Sequence, residues 1–378
     1  MTDTEVLVVG AGPTGLTLAT ALTARSVEVI VVDRLTAGAN TSRAAAVNAR
    51  TLEVLEDLDV ARRMVKAGLI APRFSMRHQA QTLIPIDFSG LPTNYPFTLM
   101  ISQATTESLL VDRLSELGAE VVRPKALTRL AQDSDGVLAT FDDGDTIRAR
   151  YVAGTDGMHS TVREQVGIGF AGGEYAESFA LADVRLSGEA PGAEVILFYS
   201  MAGLNVLVPL PGGIHRVVAP TMDAPEVPSA QFLQELLDTR GFGPGHTVVQ
   251  DVVWGSRFRI HHRVADTYRA GRVLLAGDAA HVHSPAGGQG MNLGIQDAVA
   301  LAETLTGALR GSDGALDAYT EARKPIARQV LRMTGRLTRL ATVPKAARPA
   351  RNAAMRLAGH VPGVRTRLAW QLSGLVYR

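Results

Sequence analysis

The chain of 378 residues contains no cysteine, and this absence excludes several kinds of chemistry. Disulfides, CxxC redox pairs, thiolate nucleophiles and cysteine-ligated zinc are all impossible without a thiol. Enzymes that reduce disulfides through a cysteine pair are excluded for the same reason. Because a chain without cysteine suits a reducing compartment, we expect a cytoplasmic location.

Other features are scarce as well. Aromatic residues make up only 5% of the chain, and no run of about eighteen residues is apolar and free of charge, so we expect no transmembrane helix. Residues 323–378 contain thirteen Lys and Arg residues but no Asp or Glu. We interpret this segment as a basic helical tail packed on an acidic body, with an anionic membrane or a partner as the alternative. We expect it to break into short helices at its prolines, Pro325, Pro344, Pro349 and Pro362.

The amino-terminal residues have the pattern of a nucleotide-binding βαβ unit. Apolar runs at residues 6–9 and 27–32 flank a helical pattern over residues 16–25, as in a buried parallel sheet. The first run leads into a glycine motif whose three glycines allow a tight turn, the approach of a pyrophosphate and close helix–sheet packing. An aspartate 21 residues beyond the second glycine can accept hydrogen bonds from ribose hydroxyls. The unit predicts binding of NAD or FAD through Gly10, Gly12, Pro13, Thr14, Gly15 and Asp33.

The middle of the chain has a different pattern. Residues 51–67 predict one amphipathic helix, and residues 74–95 predict an excursion of sheet away from the first core. Residues 179–267 alternate repeatedly between apolar and polar. This alternation predicts a mainly antiparallel sheet that carries one helix over residues 228–239.

A second motif follows the antiparallel region. Residues 272–276 predict a buried strand that ends in Gly277-Asp278, and the glycine-rich run from Pro285 to Asn292 opens a helix. An aspartate at a strand end can hold the ribityl chain or the pyrophosphate side of a flavin. N–H groups at a helix amino terminus can face the negative N1/O2 edge of a reduced isoalloxazine. The motif therefore favours FAD over NAD, and it makes the cofactor domain discontinuous, with the antiparallel region inserted.

The chain resembles the class A flavoprotein monooxygenases, the p-hydroxybenzoate-hydroxylase-like aromatic hydroxylases, and especially the bacterial polyketide hydroxylases. The resemblance covers roughly residues 4–340 and is carried by four stretches: 10–15 with Asp33-Arg34, 42–55, 154–163 and 277–292. It implies an α/β fold, with a Rossmann-like FAD-binding domain, an inserted and mainly antiparallel substrate sheet, and C-terminal helices. The expected boundaries are 1–75, 98–178 and 268–340 for the FAD-binding domain, 76–97 and 179–267 for the substrate-binding domain, and 341–378 for a C-terminal helical tail.

The resemblance also implies the residues of the site. Further FAD contacts are expected at Arg34, Arg43, Gln103, Asp156, Gly277, Asp278, Pro285, Gly288, Gly290, Met291 and Asn292. Pro285, Gly287 and Gly288 are expected to position the flavin for catalysis, with no side chain assigned as acid or base. Candidate substrate contacts are Phe74, Met76, His78, Phe198, Met201, Leu207, Pro285 and Ala286.

Several of these residues have a simpler interpretation. Arg43 and Arg163 could be surface arginines of helices, and Asp156 could cap its own turn. Each substrate candidate could be ordinary sheet core. His281 and His283 could look like a metal pair, but no carboxylates lie at ligand spacing, so we favour packing or loop hydrogen bonds and expect no metal.

The resemblance implies a function in which the cofactor supplies the chemistry. NADPH or NADH would reduce FAD, O2 as co-substrate would add to the flavin C4a, and the hydroperoxide would hydroxylate an aromatic, polyketide-type substrate. Baeyer–Villiger oxidation, epoxidation, a non-oxygenating flavin reductase and a silent flavin-binding protein are the alternatives. We expect a small-molecule substrate that is hydrophobic and aromatic, no nucleic-acid partner, and a monomer or homodimer. Because only about 70 residues follow Leu309, we expect the thioredoxin-like domain of many relatives to be absent.

Overall fold

The computed structural model describes residues 2–38, 44–222, 224–312 and 314–378. Its helices are α1 (Pro13–Thr23), α2 (Ala49–Glu56), α3 (Ala61–Ala67), α4 (Gln103–Glu116), α5 (Thr161–Gln165), α6 (Ala230–Arg240), α7 (Gly290–Leu309), α8 (Ala315–Ala341), α9 (Arg348–Gly359) and α10 (Pro362–Leu372). Its strands are β1 (Thr2–Val9), β2 (Val29–Val32), β3 (Ala46–Val47), β4 (Leu69–Ala71), β5 (Arg73–His78), β6 (Gln81–Asp87), β7 (Thr98–Met100), β8 (Val121–Val122), β9 (Leu127–Gln132), β10 (Val137–Phe141), β11 (Thr146–Gly154), β12 (Phe170–Gly188), β13 (Glu194–Tyr199), β14 (Leu204–Leu210), β15 (Ile214–Thr221), β16 (Thr247–Ala265), β17 (Arg269–Ala270), β18 (Val273–Leu275) and β19 (His281–Val282). Short 3₁₀ turns occur at Pro211–Gly213, Gly277–Ala279, Lys345–Ala347 and Leu375–Tyr377.

The first sheet holds the nucleotide-binding elements. Its strands run in the order β17-β18-β11-β1-β2-β8, with β10 beside β11 and β9 beside β10. The central pairs β18–β11, β11–β1 and β1–β2 are parallel. Val6, Leu7 and Val8 of β1 are fully buried in one core with Leu16 and Leu18 of α1. Removal of this apolar surface from water stabilises the βαβ unit that the sequence predicts.

The second sheet lies in the middle of the chain and is mainly antiparallel. Its order is β19-β16-β12-β15-β14-β13-β5-β6, with a parallel pair at β13–β5. Because alternate side chains of a strand point to opposite faces, the sheet has two apolar faces. The α6 face contains Phe198 packed with Leu233 of α6, and the tail face contains Phe74 packed with Leu372 and other C-terminal residues. The remaining strands of the described residues form a small third sheet in the order β3-β7-β4.

Two helices differ from the sequence prediction. The single helix predicted over residues 51–67 is divided into α2 and α3, because Asp59 adopts a left-handed backbone with φ of 60°. The tail is predicted to break at Pro325, yet α8 continues through this residue. Pro325 and Glu321 are both exposed, so the carbonyl that loses its helical partner can bind water instead.

The fold class predicted from the sequence is confirmed, since a mainly antiparallel sheet is inserted into a parallel α/β unit. The second sheet includes β5 from Arg73, β12 from Phe170 and the short strand β19. The predicted domain boundaries stay a prediction. None of the described helices combines the length and the apolar content needed to cross a bilayer.

The C-terminal helices α9 and α10 pack against β6 at the edge of the second sheet. Arg351 is buried and donates hydrogen bonds to the carbonyls of Tyr199 (3.0 Å) and Leu340 (3.1 Å). Arg378, at the end of the described chain, pairs with Glu53. The basic tail is therefore packed on the body, and Arg351 within it is held by carbonyl groups.

Candidate cofactor and substrate site

The glycine motif after β1 forms a tight turn that packs against the residues following the carboxyl end of β11. Gly10 has a φ of 103°, and a Cβ there would lie 2.5 Å from the carbonyl oxygen of Thr155. A Cβ on Gly15 would collide with the carbonyl of Gly10. At Gly12, by contrast, no described atom beyond Gly12 and its two chain neighbours lies within 4 Å of the Cβ position. Packing therefore requires Gly10 and Gly15, whereas Gly12 leaves open space at the amino terminus of α1, as a bound pyrophosphate requires.

Asp33, at the end of β2, braces this turn. Its Oδ2 accepts a hydrogen bond from the N–H of Ala11 (2.6 Å), and its Oδ1 accepts one from the N–H of Leu35 (2.8 Å). Each carboxylate oxygen keeps a second lone pair that can accept from a ribose hydroxyl. Arg43 lies outside the described residues and stays a prediction. Predicted residues from three sequence stretches line one cavity of about 310 Å³: Gly10, Gly12, Asp33, Arg34, Gln103 and Asp156.

Two further side chains, Glu107 and Arg123, line this cavity. Gln103 donates through Nε2 to Glu107 (2.9 Å), a buried carboxylate that also lines the cavity. Arg123 donates to the carbonyl of Ala11 (3.2 Å). Sequence reasoning missed Glu107 and Arg123, because neither belongs to a spaced motif and only their position beside the cavity identifies them.

The stretch after β11 forms the amino end of α5. Asp156 accepts from the Ser160 hydroxyl (2.5 Å) and the N–H of Val162 (3.1 Å), and burial raises the pKa of its carboxyl. Asp156 therefore caps α5 and lines the cavity as well. Arg163 is buried rather than a surface residue, and it donates to the carbonyl of Ala279 (2.9 Å). It ties α5 to the turn of the second motif.

The second motif forms the 3₁₀ turn Gly277–Ala279 between β18 and β19. Asp278 lies exposed at its centre. Gly277 has a φ of 62°, and a Cβ there would lie 2.5 Å from Oγ1 of Thr14. Thr14 also lies against Gly294 of α7. The two glycine motifs, from opposite ends of the chain, therefore touch through one threonine of α1.

Asp297 of α7 is fully buried beneath this turn. It accepts hydrogen bonds from Nε2 of His281 (2.5 Å), Nε of Arg323 (2.6 Å) and the N–H of Gly277 (3.4 Å). Burial alone would raise the pKa of this carboxyl, but the neighbouring Arg323 and His281 hold it below its ordinary value. His281 thus binds the carboxylate that holds this turn. No group of three potential metal ligands occurs in the part of the chain that the structure describes.

The glycine loop, residues 284–290, leads from β19 into α7. Gly287 and Gly288 have φ of 88° and 63°, and the N–H of Gly288 bonds the carbonyl of Pro285 (2.9 Å). Gly290 and Met291 begin α7, where unpaired N–H groups carry the positive end of the helix dipole. The loop therefore offers backbone donors to a negative group, as the sequence predicts for a flavin edge.

Two polar side chains flank the glycine loop. Asn292 donates to the carbonyls of Gly288 (2.7 Å) and Ala46 (2.8 Å), so its side chain holds the loop. Direct contact between Asn292 and FAD stays a prediction. His283 bonds the carbonyl of Ser284 through Nδ1 (2.9 Å), and burial lowers the pKa of its imidazole to about 4. His283 is therefore neutral near pH 7.

The candidate substrate residues are divided between the faces of the second sheet. Phe74 and Met76 lie in the apolar cluster of the tail face, and half-buried Ala286 packs against that cluster beside exposed Pro285. Phe74 and Met76 therefore belong to one apolar cluster, and the glycine loop adjoins this cluster through Ala286.

The other candidates lie elsewhere. Phe198 and Leu207 are fully buried on the α6 face, away from the cluster that Ala286 contacts, and their role as substrate contacts stays a prediction. His78 ends β5 at the turn into β6, and Met201 lies in an exposed turn whose carbonyl accepts from Arg348 (2.7 Å). The alternation of side chains along a strand does not tell which face of the sheet adjoins the glycine loop. The predicted substrate residues therefore come from both faces.

The residues brought together fit FAD. The open space at Gly12 suits a pyrophosphate, the carboxylate of Asp33 suits a ribose, and Asp278 is exposed in the turn that packs against α7. The adjoining glycine loop and tail face supply backbone donors and apolar side chains, as an isoalloxazine and an aromatic substrate require.

Comparison with known proteins supplies independent observations. Residues 3–334 match the family model described as FAD binding domain. The uncharacterized aromatic compound monooxygenase YhjG of Bacillus subtilis (strain 168) is 37% identical over 388 residues, which cover 99% of this chain and 76% of that protein. Among the curated relatives, the share of their own length that this chain spans varies between 63% and 76%.

Solved structures are similar over nearly the whole chain. OxyS anhydrotetracycline hydroxylase from Streptomyces rimosus has a TM-score of 0.82 and 35% identity, and the match covers 99% of this chain and 76% of that chain. The p-nitrophenol 4-monooxygenase PnpA of Pseudomonas putida DLL-E4 has a TM-score of 0.86 and 27% identity, with 99% of both chains covered. The similarity therefore includes the second sheet.

Proposed function

We propose that this chain, which belongs to the FAD binding domain family and is an FAD-dependent monooxygenase, hydroxylates a hydrophobic aromatic compound of the polyketide type. The observation that carries the proposal is the position of Ala286 in the glycine loop. It packs against the apolar cluster that contains Phe74 and Met76, so the loop that is expected to face the flavin adjoins apolar side chains of the tail face. The anhydrotetracycline hydroxylase among the relatives supports a substrate with several rings.

The chain's own residues would hold the cofactor and keep water away. FAD, when bound, supplies electron transfer from NADPH or NADH to O2. The backbone around Gly12 would face the pyrophosphate, Asp33 the ribose and Asp278 the ribityl side. Phe74 and Met76 would orient an aromatic ring and exclude water from it. No side chain is assigned as a general acid or base.

The location and the assembly are part of the same proposal. The lack of cysteine supports a reducing, cytoplasmic compartment. We infer that the protein works on a small molecule rather than a nucleic acid, as a monomer or homodimer. Sedimentation of the FAD-loaded protein distinguishes these two assemblies.

The test is NAD(P)H oxidation by the FAD-loaded protein in aerated buffer, with and without phenols, anthraquinones and tetracycline-like polyketides. We expect one multi-ring compound to raise the rate about tenfold or more, which is roughly 1.4 kcal/mol in barrier, with O2 consumed in step. The NMR spectrum of the product separates hydroxylation from Baeyer–Villiger oxidation and epoxidation. A reduced product formed without O2 uptake would identify a reductase. Flat rates across the panel would contradict the proposed substrate class.

A further inference from the structure

The glycine loop is held by Gln289, a residue that has no part in the function proposed above. Gln289 is only 3% exposed. Its Nε2 donates to the carbonyls of Gly287 (2.8 Å) and Leu372 (3.2 Å), and its Oε1 accepts from Nδ2 of Asn48 (3.3 Å). Glycines adopt many backbone conformations at little cost, so the shape of a glycine-rich loop depends on the side chains that bind it.

The C-terminal residues after α10 are inserted beside this loop. The carbonyl of Ser373 accepts from the N–H of the second residue of α2 (3.0 Å). Gly374 is left-handed, with φ of 74°, and a Cβ there would lie 2.9 Å from Nδ2 of Asn48. The side chain of Leu372 lies 3.4 Å from the Cβ position of Gly287. The end of the tail therefore fills the space between α2 and the glycine loop.

We propose that Gln289 is a positioning residue that couples the docking of residues 372–374 to the conformation of the glycine loop. The inference rests on the proposed function, in which this loop faces the flavin. One amide joins the loop, the tail and the start of α2, so a displacement of any of the three breaks bonds to the other two. Asn292 does not duplicate this role, because its side-chain donors reach Gly288 and Ala46 rather than the tail.

The coupling has a consequence for turnover. A loop held in one conformation keeps water away from the flavin and the substrate. When the tail is released, the loop samples other conformations and water enters, so reducing equivalents pass to O2 without oxygenation of the substrate. Loss of the Gln289 bonds should therefore lower the product formed per NAD(P)H oxidised, and H2O2 should make up the balance.

Amide hydrogen exchange of the FAD-loaded protein tests the coupling without turnover. Gln289→Leu keeps the size of the side chain but removes all three hydrogen bonds. We expect roughly tenfold faster exchange both in residues 284–290 and in residues 372–375. Leu372→Ala loosens the same junction from the tail side and should speed exchange in the same two segments.

The matched control is Leu233→Ala, which removes an equally buried leucine from the α6 face and should change neither segment. In turnover, Gln289→Leu should lower the product per NAD(P)H about threefold or more, while the Kd for FAD changes by less than about threefold. Unchanged exchange of residues 372–375 in Gln289→Leu overturns the positioning role. Wild-type protein that no aromatic compound stimulates would overturn the proposed function instead, because the exchange result does not depend on turnover.

Discussion

Among single residues, Gly10 and Gly12 are glycines for different physical reasons. Gly10 has a positive φ, and Thr155 occupies the place of a Cβ. Gly12 faces open space, so its lack of a side chain serves something outside the chain. The sequence motif predicts both glycines, but only the neighbouring atoms separate a packing requirement from a binding one.

Gly12→Ala should therefore weaken FAD binding by about tenfold or more, because the methyl group occupies the space of the pyrophosphate. The stability of the apoprotein should stay within about 1 kcal/mol of wild type. Gly10→Ala should instead lower the free energy of unfolding by about 2–4 kcal/mol, through backbone strain and collision with Thr155. Denaturant unfolding and FAD titration measure the two effects. Equal FAD affinity in Gly12→Ala and wild type would mean that the pyrophosphate binds elsewhere.

At the scale of elements, the second sheet explains why the substrate residues could be predicted only in part. On β13, Leu197 and Tyr199 lie on the tail face, and Phe198 between them lies on the α6 face. The alternation of apolar residues identifies the strand and its two apolar sides. It cannot identify the side that adjoins the glycine loop, because that depends on where α6 and the C-terminal helices pack.

Phe74→Ala and Phe198→Ala form a matched pair on opposite faces of this sheet. Both remove a buried aromatic ring, and each should cost about 3–5 kcal/mol of stability. Because the substrate is expected on the tail face, Phe74→Ala should raise KM for the aromatic substrate about tenfold, whereas Phe198→Ala should leave KM within about twofold. Steady-state kinetics at a temperature where both variants are folded provide the comparison. A larger effect of Phe198→Ala on KM would place the substrate on the α6 face.

At the scale of the whole molecule, the cofactor elements come from both ends of the chain and meet at one junction. Thr14 of α1 contacts Gly277 and Gly294. The carboxylate of Asp297 accepts hydrogen bonds from the N–H of Gly277 and from His281. The second sheet is inserted between these halves along the chain. A ligand bound at the junction therefore contacts both halves of the fold at once.

Removal of FAD should lower the Tm of the whole molecule without splitting its unfolding transition. FAD present at 100 times its Kd adds about 2.7 kcal/mol to the free energy of unfolding, which corresponds to several degrees for a chain of this size. Calorimetry of the apoprotein and the FAD-loaded protein measures the shift. Two separate transitions, of which FAD moves only one, would mean that the second sheet unfolds independently of the cofactor elements.

The βαβ unit, the two glycine motifs and the preference for FAD can all be predicted from the amino-acid sequence. These features are local, because a tight turn or a close approach of backbone to phosphate demands glycine at a set spacing. The folded structure was needed to show that Arg163 and Asp297 hold the second turn, that Phe198 faces α6, and that the end of the tail contacts Gln289. Each of these contacts joins residues far apart in sequence. Local patterns specify the backbone conformation and the two sides of an element, whereas the packing of the elements decides what each side contacts.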